Sequence, residues 1–325
     1  MEIKRRDFLK GLAGSAVLAM APPAIAGSSE KNRLPDALGI LYDSTLCVGC
    51  QICMLACKRA NNMPLEYFGS QQLWDNPVDL SAKTLNIIKV YENGTRKIKD
   101  REIDGYAFVK RHCMHCVDPA CVSACPASAL TKDSKTGVVF YNKNACIGCR
   151  YCQVACPFNI PKFEWDNPFP NIVKCQLCSH LLAKGQIPAC CSECPTGASL
   201  FGPVADLVKE AERRQNMTAG KYYEFPVSEI SSAKIQVHKA EKYLSHIYGK
   251  NEGGGTQVLM LAGVSFNKLG LPMLPDQSYA AIAENIQHTL YKWMILPIVA
   301  FGGLIFLVKR TEKKKNNARH GTGES

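Results

Sequence analysis

The chain contains no phosphate-binding loop of the GxxxxGK[ST] kind: Gly253-Gly254-Gly255 lacks the lysine and the strand-to-helix setting that such a loop needs. It carries no flavin, nicotinamide or molybdopterin signature, and no side chain stands out as a nucleophile or general base. That argues against a catalytic subunit with its own substrate pocket. Basic and aromatic residues do not interleave in any stripe, so nucleic-acid binding is not expected despite a formal charge of +11. Residues 1–26 hold a net +2 of that charge and the tail after Val308 a net +4, leaving +5 for the body. Cysteine is absent from the first 46 positions and the last 131, so all 17 cysteines of this 325-residue chain lie between Cys47 and Cys194.

Those cysteines form four motifs. Cys47, Cys50, Cys53 and Cys57 follow the spacing C-x2-C-x2-C-x3-C, and so do Cys146, Cys149, Cys152 and Cys156. Cys113, Cys116, Cys121 and Cys125 lengthen the middle gap to four residues. Cys175 and Cys178 resume after a long gap at Cys190 and close at Cys194. Three closely spaced cysteines let a tight loop wrap three corners of one [4Fe–4S] cubane, and the fourth reaches a neighbouring cluster. Proline follows three of the fourth cysteines, as Pro126, Pro157 and Pro195, and suits a bend there. The expected cofactors are therefore four [4Fe–4S] clusters in two pairs, with sixteen cysteine ligands. They bring roughly −8 of charge when oxidised, which leaves the loaded body near neutral or mildly acidic.

An odd count in dense loops makes a poor disulfide framework, and structural zinc would ask for two C-x2-C pairs per ion. One cysteine is left over. Only Cys190 stands at C-x3-C spacing from Cys194, so Cys191 is the expected spare, a buried thiol. His112 and His115 flank Cys113. They are read as residues beside a cluster or on the surface, since every corner already has a cysteine.

The ends suggest an address. Lys4-Arg5-Arg6-Asp7-Phe8-Leu9-Lys10, an apolar run from Gly11 to Ala21 and Ala24-Ile25-Ala26 compose a twin-arginine signal peptide over residues 1–26. Near the other end, Trp293 to Val308 is uncharged, and counting from Thr289 gives a candidate transmembrane helix over 289–308. Lys309-Arg310 would stop it, and the basic tail 309–325 would stay cytoplasmic. These features place the body on the periplasmic face of a bacterial inner membrane.

Between the first two motifs, Leu85 to Tyr91 predicts a strand, Glu92-Asn93-Gly94 a turn, and Thr95 to Asp100 its return. Tyr106 to Arg111 predicts a further strand, and Val204 to Gln215 a helix. Residues 217–288 show no clear periodicity and suit a surface-wrapping connector. The fold class expected is α+β: two ferredoxin-like lobes, each with two [4Fe–4S] clusters, and a single C-terminal transmembrane helix. The four-cluster domain would span 40–203 with a hairpin insertion at about 58–112, followed by helix and connector at 204–288.

The run Leu41-Tyr42-Asp43-Ser44-Thr45-Leu46-Cys47, the segment Met114–Pro119 and the motifs resemble the four-cluster ferredoxin-like subunits of membrane-bound respiratory oxidoreductases. Glu252–Leu259 and Glu284–Lys292 hold no cluster ligand and resemble the hydrogenase 2 type. Asp75-Asn76-Pro77 and Asp79–Lys83 resemble the formate dehydrogenase β subunits, the alternative within the family. The resemblance implies electron transfer between the small and large subunits of a [NiFe] hydrogenase and a multi-helix, quinone-reactive membrane subunit. It also implies that motif one pairs with motif four, and motif two with motif three. The ligand sets would be Cys47, Cys50, Cys53 with Cys194; Cys175, Cys178, Cys190 with Cys57; Cys113, Cys116, Cys121 with Cys156; and Cys146, Cys149, Cys152 with Cys125.

Overall fold

In the computed structural model, which describes residues 32–66 and 74–320, the strand Leu38–Asp43 lies at the centre of a three-stranded sheet. It runs antiparallel to Ser199–Pro203 and parallel to Val258–Leu261. Its near-continuous apolar run suits a strand covered on both faces, and all of its residues after Leu38 are buried. The helix Val204–Gln215 covers one face through Val204, Leu207 and Ala211, which pack against Leu41, Leu200 and Leu259. The other face turns Ile40, Tyr42 and Met260 toward the cysteine motifs.

The same helix places a buried cation at the end of the central strand. The Arg214 guanidinium is fully buried; Nη1 donates to Asp43 Oδ2 at 2.9 Å and Nε to Glu210 Oε1 at 2.8 Å. The Asp43 carboxylate also accepts from the Tyr243 hydroxyl at 2.9 Å and from the Thr45 amide at 3.0 Å. Buried charge is tolerated only when paired in this way. The network holds the chain immediately before Cys47.

A second sheet has the order Ile87–Glu92, Gly105–Arg111, Ile98–Lys99. The hairpin expected between residues 85 and 100 is not what forms. Ile87–Glu92 pairs antiparallel with Gly105–Arg111, and the short Ile98–Lys99 lies parallel to the latter. Ala107, Phe108 and Val109 bring buried apolar surface to the pairing, whereas Thr95 to Ile98 are exposed. Burial outweighs proximity in sequence.

Residues 204–288 hold more than a connector. Besides the helix, they contain the antiparallel pair Tyr222–Pro226 and Ile235–Lys239 and the fully buried strand Val258–Leu261. The compact unit of residues 31–283 contains all the cysteines, and residues from Glu284 onward belong to a separate unit.

The C-terminal helix Tyr279–His320 is 42 residues long and does not stop at Lys309-Arg310. Among the described residues, no helix is long and apolar enough to cross a membrane. This overturns the transmembrane span expected at 289–308, together with the membrane anchor and the localisation that rested on it. The uncharged run of sixteen residues makes about 24 Å of helix, short of a hydrocarbon core of roughly 30 Å. The signal peptide expected at 1–26 lies outside the described residues.

Candidate metal centres

Strand register brings distant motifs together. Tyr42 pairs with Ser199, and Cys47 and Cys194 each lie five residues from that rung at the same end of the sheet. The ladder Leu130–Lys132 with Val139–Tyr141 repeats the arrangement: Leu130 pairs with Tyr141, and Cys125 and Cys146 each lie five residues beyond. Motif four is thus delivered to motif one, and motif two to motif three.

Each motif bends at the residue before its second cysteine. Gly49, His115, Gly148 and Leu177 all take left-handed backbone, with φ of 68°, 48°, 69° and 53°. Gln51 and Arg150, just after the second cysteine of motifs one and three, are left-handed as well. Such alternation turns successive amides to one side and makes a concavity suited to anions, including Fe–S groups. The amides of Gly148 and Leu177 donate to Cys146 Sγ and Cys175 Sγ, each at 3.4 Å.

Short helices then separate the third and fourth cysteines. In Ile52–Ala60, Cys53 and Cys57 stand one turn apart, yet they line different cavities. One cavity is lined by Cys47, Cys50, Cys53 and Cys194. A second is lined by Cys57, Cys175, Cys178 and Cys190. Cys125, Cys146, Cys149 and Cys152 line a third. Cys116 has Cys156, Cys113 and Cys121 as its electrostatic neighbours. Every cysteine is a free thiol. Among the described residues, no three His, Cys, Asp or Glu side chains could hold a single metal ion. Four thiols around a cavity, with amides turned inward, fit a larger anionic group with four corners, as a [4Fe–4S] cubane is.

Desolvation pushes the thiols of Cys57 and Cys121 up to about 12 and that of Cys152 up to about 11. Without metal they stay protonated at neutral pH, so loading must release protons. Cys190 moves the other way, to about 5: the Cys191 thiol donates to its sulfur, and the Lys110 ammonium lies beside it against the cost of burial. Cys191 itself is fully buried in the main apolar cluster.

Several charged or polar neighbours escaped the reading of the sequence. Lys110 and Lys174 are buried, with Lys174 Nζ donating to the Cys175 carbonyl at 3.0 Å. The Val139 amide donates to His115 Nδ1 at 3.1 Å, so the neutral ring carries its proton on Nε2. His112 Nδ1 donates to the Cys113 carbonyl at 2.9 Å. Burial, joined by the nearby Lys110 charge, pushes His112 down to about 3; burial and Lys174 push His115 well below its ordinary value. Both rings are neutral at physiological pH, and neither is at the surface. Period-two alternation along Gly105–Arg111 would have put Lys110 on the face of Phe108, a signal present in the sequence.

The 4Fe-4S dicluster domain family matches residues 105–204. Hydrogenase-2 operon protein HybA of Escherichia coli O157:H7 is 47% identical to the chain, over 99% of both proteins. The formate dehydrogenase iron-sulfur subunit of Haemophilus influenzae is 36% identical over 93% of this chain and 86% of its own length. The nitrate-inducible formate dehydrogenase iron-sulfur subunit of Escherichia coli K12 is 34% identical over 69% of this chain and 71% of its own. The chain belongs to the family of HybA and the formate dehydrogenase iron–sulfur subunits, and it holds [4Fe–4S] clusters.

Proposed function

We propose that the chain carries electrons through four [4Fe–4S] clusters between a [NiFe] hydrogenase and a quinone-reactive partner. The observation that carries this reading is a row of four cysteine sets with an exposed cysteine at each end. Cys53 neighbours Cys190, Cys175 neighbours Cys113, and Cys121 neighbours Cys152. The order is then Cys47/Cys50/Cys53/Cys194, Cys57/Cys175/Cys178/Cys190, Cys113/Cys116/Cys121/Cys156 and Cys125/Cys146/Cys149/Cys152. Cys50 in the first set and Cys149 in the last are exposed.

When bound, a [4Fe–4S] cubane accepts and releases one electron. The protein's part is to hold, space and shield. The short helices Ile52–Ala60 and Tyr151–Ala155 hold the third and fourth cysteines of their motifs about one helical turn apart, Cys156 at the C-cap of the second, so that each motif contributes to two neighbouring sites. Ile40, Ile88, Leu177 and Ile172 wall the cavities and keep water out. In this reading Cys190 is the ligand and Cys191 the spare.

The hydrogenase assignment follows the full-length likeness to HybA, and the formate dehydrogenase likeness supplies the competing reading. Cells lacking the chain should lose H2-dependent quinone reduction while still reducing a small dye with H2, because the dye takes electrons directly from the catalytic subunit. Formate-dependent quinone reduction should persist. Loss of the formate-dependent activity instead would favour a formate dehydrogenase partner.

A further inference from the structure

Gly105–Arg111 lays three side chains of one face along two cysteine sites. Phe108 packs so closely on Gly49 of the first motif that a Cβ there would meet its ring at 2.4 Å. His112, one residue past the strand, lines the cavity of Cys57, Cys175, Cys178 and Cys190. Lys110 lies midway between them in the alternation, and a span of four residues covers about 13 Å of strand.

Lys110 is fully buried, and its Nζ donates to Ser199 Oγ at 3.1 Å. Ser199 lines the first cavity, as does Ile88, the residue opposite Lys110 on the neighbouring strand. Among the described residues, no carboxylate forms a salt bridge with Lys110. A buried ammonium without a counter-charge is among the most costly groups a fold can contain. The Lys110 ammonium lies beside Cys190 and Cys53. Cys53 belongs to one site and Cys190 to the next.

We infer that Lys110 is a fixed positive charge shared by two adjacent clusters, and that it raises the reduction potential of both. The inference rests on the cluster assignment above. A cation between two anionic groups favours the form with one more electron, so both sites become easier to reduce. Strand geometry places Lys110 at that seam, and the two clusters supply the counter-charge that the protein does not.

The test compares Lys110→Met, which keeps the volume and removes the charge, with Lys110→Arg, which keeps the charge. Iron content and EPR-monitored redox titration of the cluster-loaded protein are the readouts. Lys110→Met should keep the wild-type iron and move two of the four potentials downward. Each should shift by at least tenfold in the oxidised-to-reduced ratio, about 59 mV for one electron. Lys110→Arg should stay near wild type. If Lys110→Met loses iron and Lys110→Arg retains it, the charge is needed to assemble the pair, which also supports the proposal. Unmoved potentials at full iron content would overturn it, and so would equal iron loss in both variants. Wild-type iron content tests the cluster assignment separately, so the two failures are distinguishable.

Discussion

Tyr42 stands opposite Ser199 across an antiparallel rung, and the cysteines five residues beyond each, Cys47 and Cys194, line one cavity. The last cysteine in the sequence therefore completes a site begun by the first. Residues 190–194 matter for the same reason. Cys190→Ser should remove about four of about sixteen irons, whereas Cys191→Ser should remove none. Iron analysis of the two purified variants decides it, and the reverse pattern would make Cys191 the ligand.

The two motif glycines are equally left-handed but not equally crowded. A Cβ at Gly49 would meet Phe108 at 2.4 Å, while the nearest atom to one at Gly148 is 3.7 Å away. Gly148→Ala should cost about 1–2 kcal/mol, from backbone strain alone. Gly49→Ala should cost a further 1–3 kcal/mol or so from overpacking. Denaturation midpoints of the loaded proteins measure the difference; equal losses would show that Phe108 yields freely.

Removing the Arg214 guanidinium would leave Asp43 with an unpaired buried charge, whereas Glu210 would keep its ion pair with Arg213. Arg214→Ala should destabilise the protein by about 3–5 kcal/mol. The loss should be much smaller when Asp43→Asn is introduced with it, because the stranded charge is gone. A urea denaturation series over the single and combined variants tests this.

Burial raises the Asp100 carboxyl to about 6, against the nearby Lys99 charge. The ordinary value is about 3.9. Between those two values the folded state retains a proton that the unfolded chain has released. The Asp100 contribution is therefore greatest below about pH 4 and is lost as pH rises through about 6. The thermal midpoint of wild type minus that of Asp100→Asn should fall across this window and level off above it. A difference that rises with pH would contradict the sign.

Much of the candidate site was legible because cysteine spacing is itself ligand geometry: a loop that wraps a cubane has few workable lengths. The helix Val204–Gln215 was legible from its apolar stripe. The strand Val258–Leu261 was not, since four buried apolar residues have no period, and their partner Leu38–Asp43 lies more than two hundred positions away. The hairpin predicted after Glu92 failed because a turn signal says nothing about which later strand brings more apolar surface. At the C-terminus, composition suggested a membrane span that the described helix does not provide. Alternation along the strand set Lys110 on the face of Phe108, and the strand pairing shows that this face is enclosed.

The central claim is that four four-cysteine sites each hold a cubane. Iron and acid-labile sulfide measured on the purified, anaerobically handled chain should each approach about sixteen per polypeptide. A value near eight of each would mean that only two of the sites are filled, and would contradict the four-cluster wire.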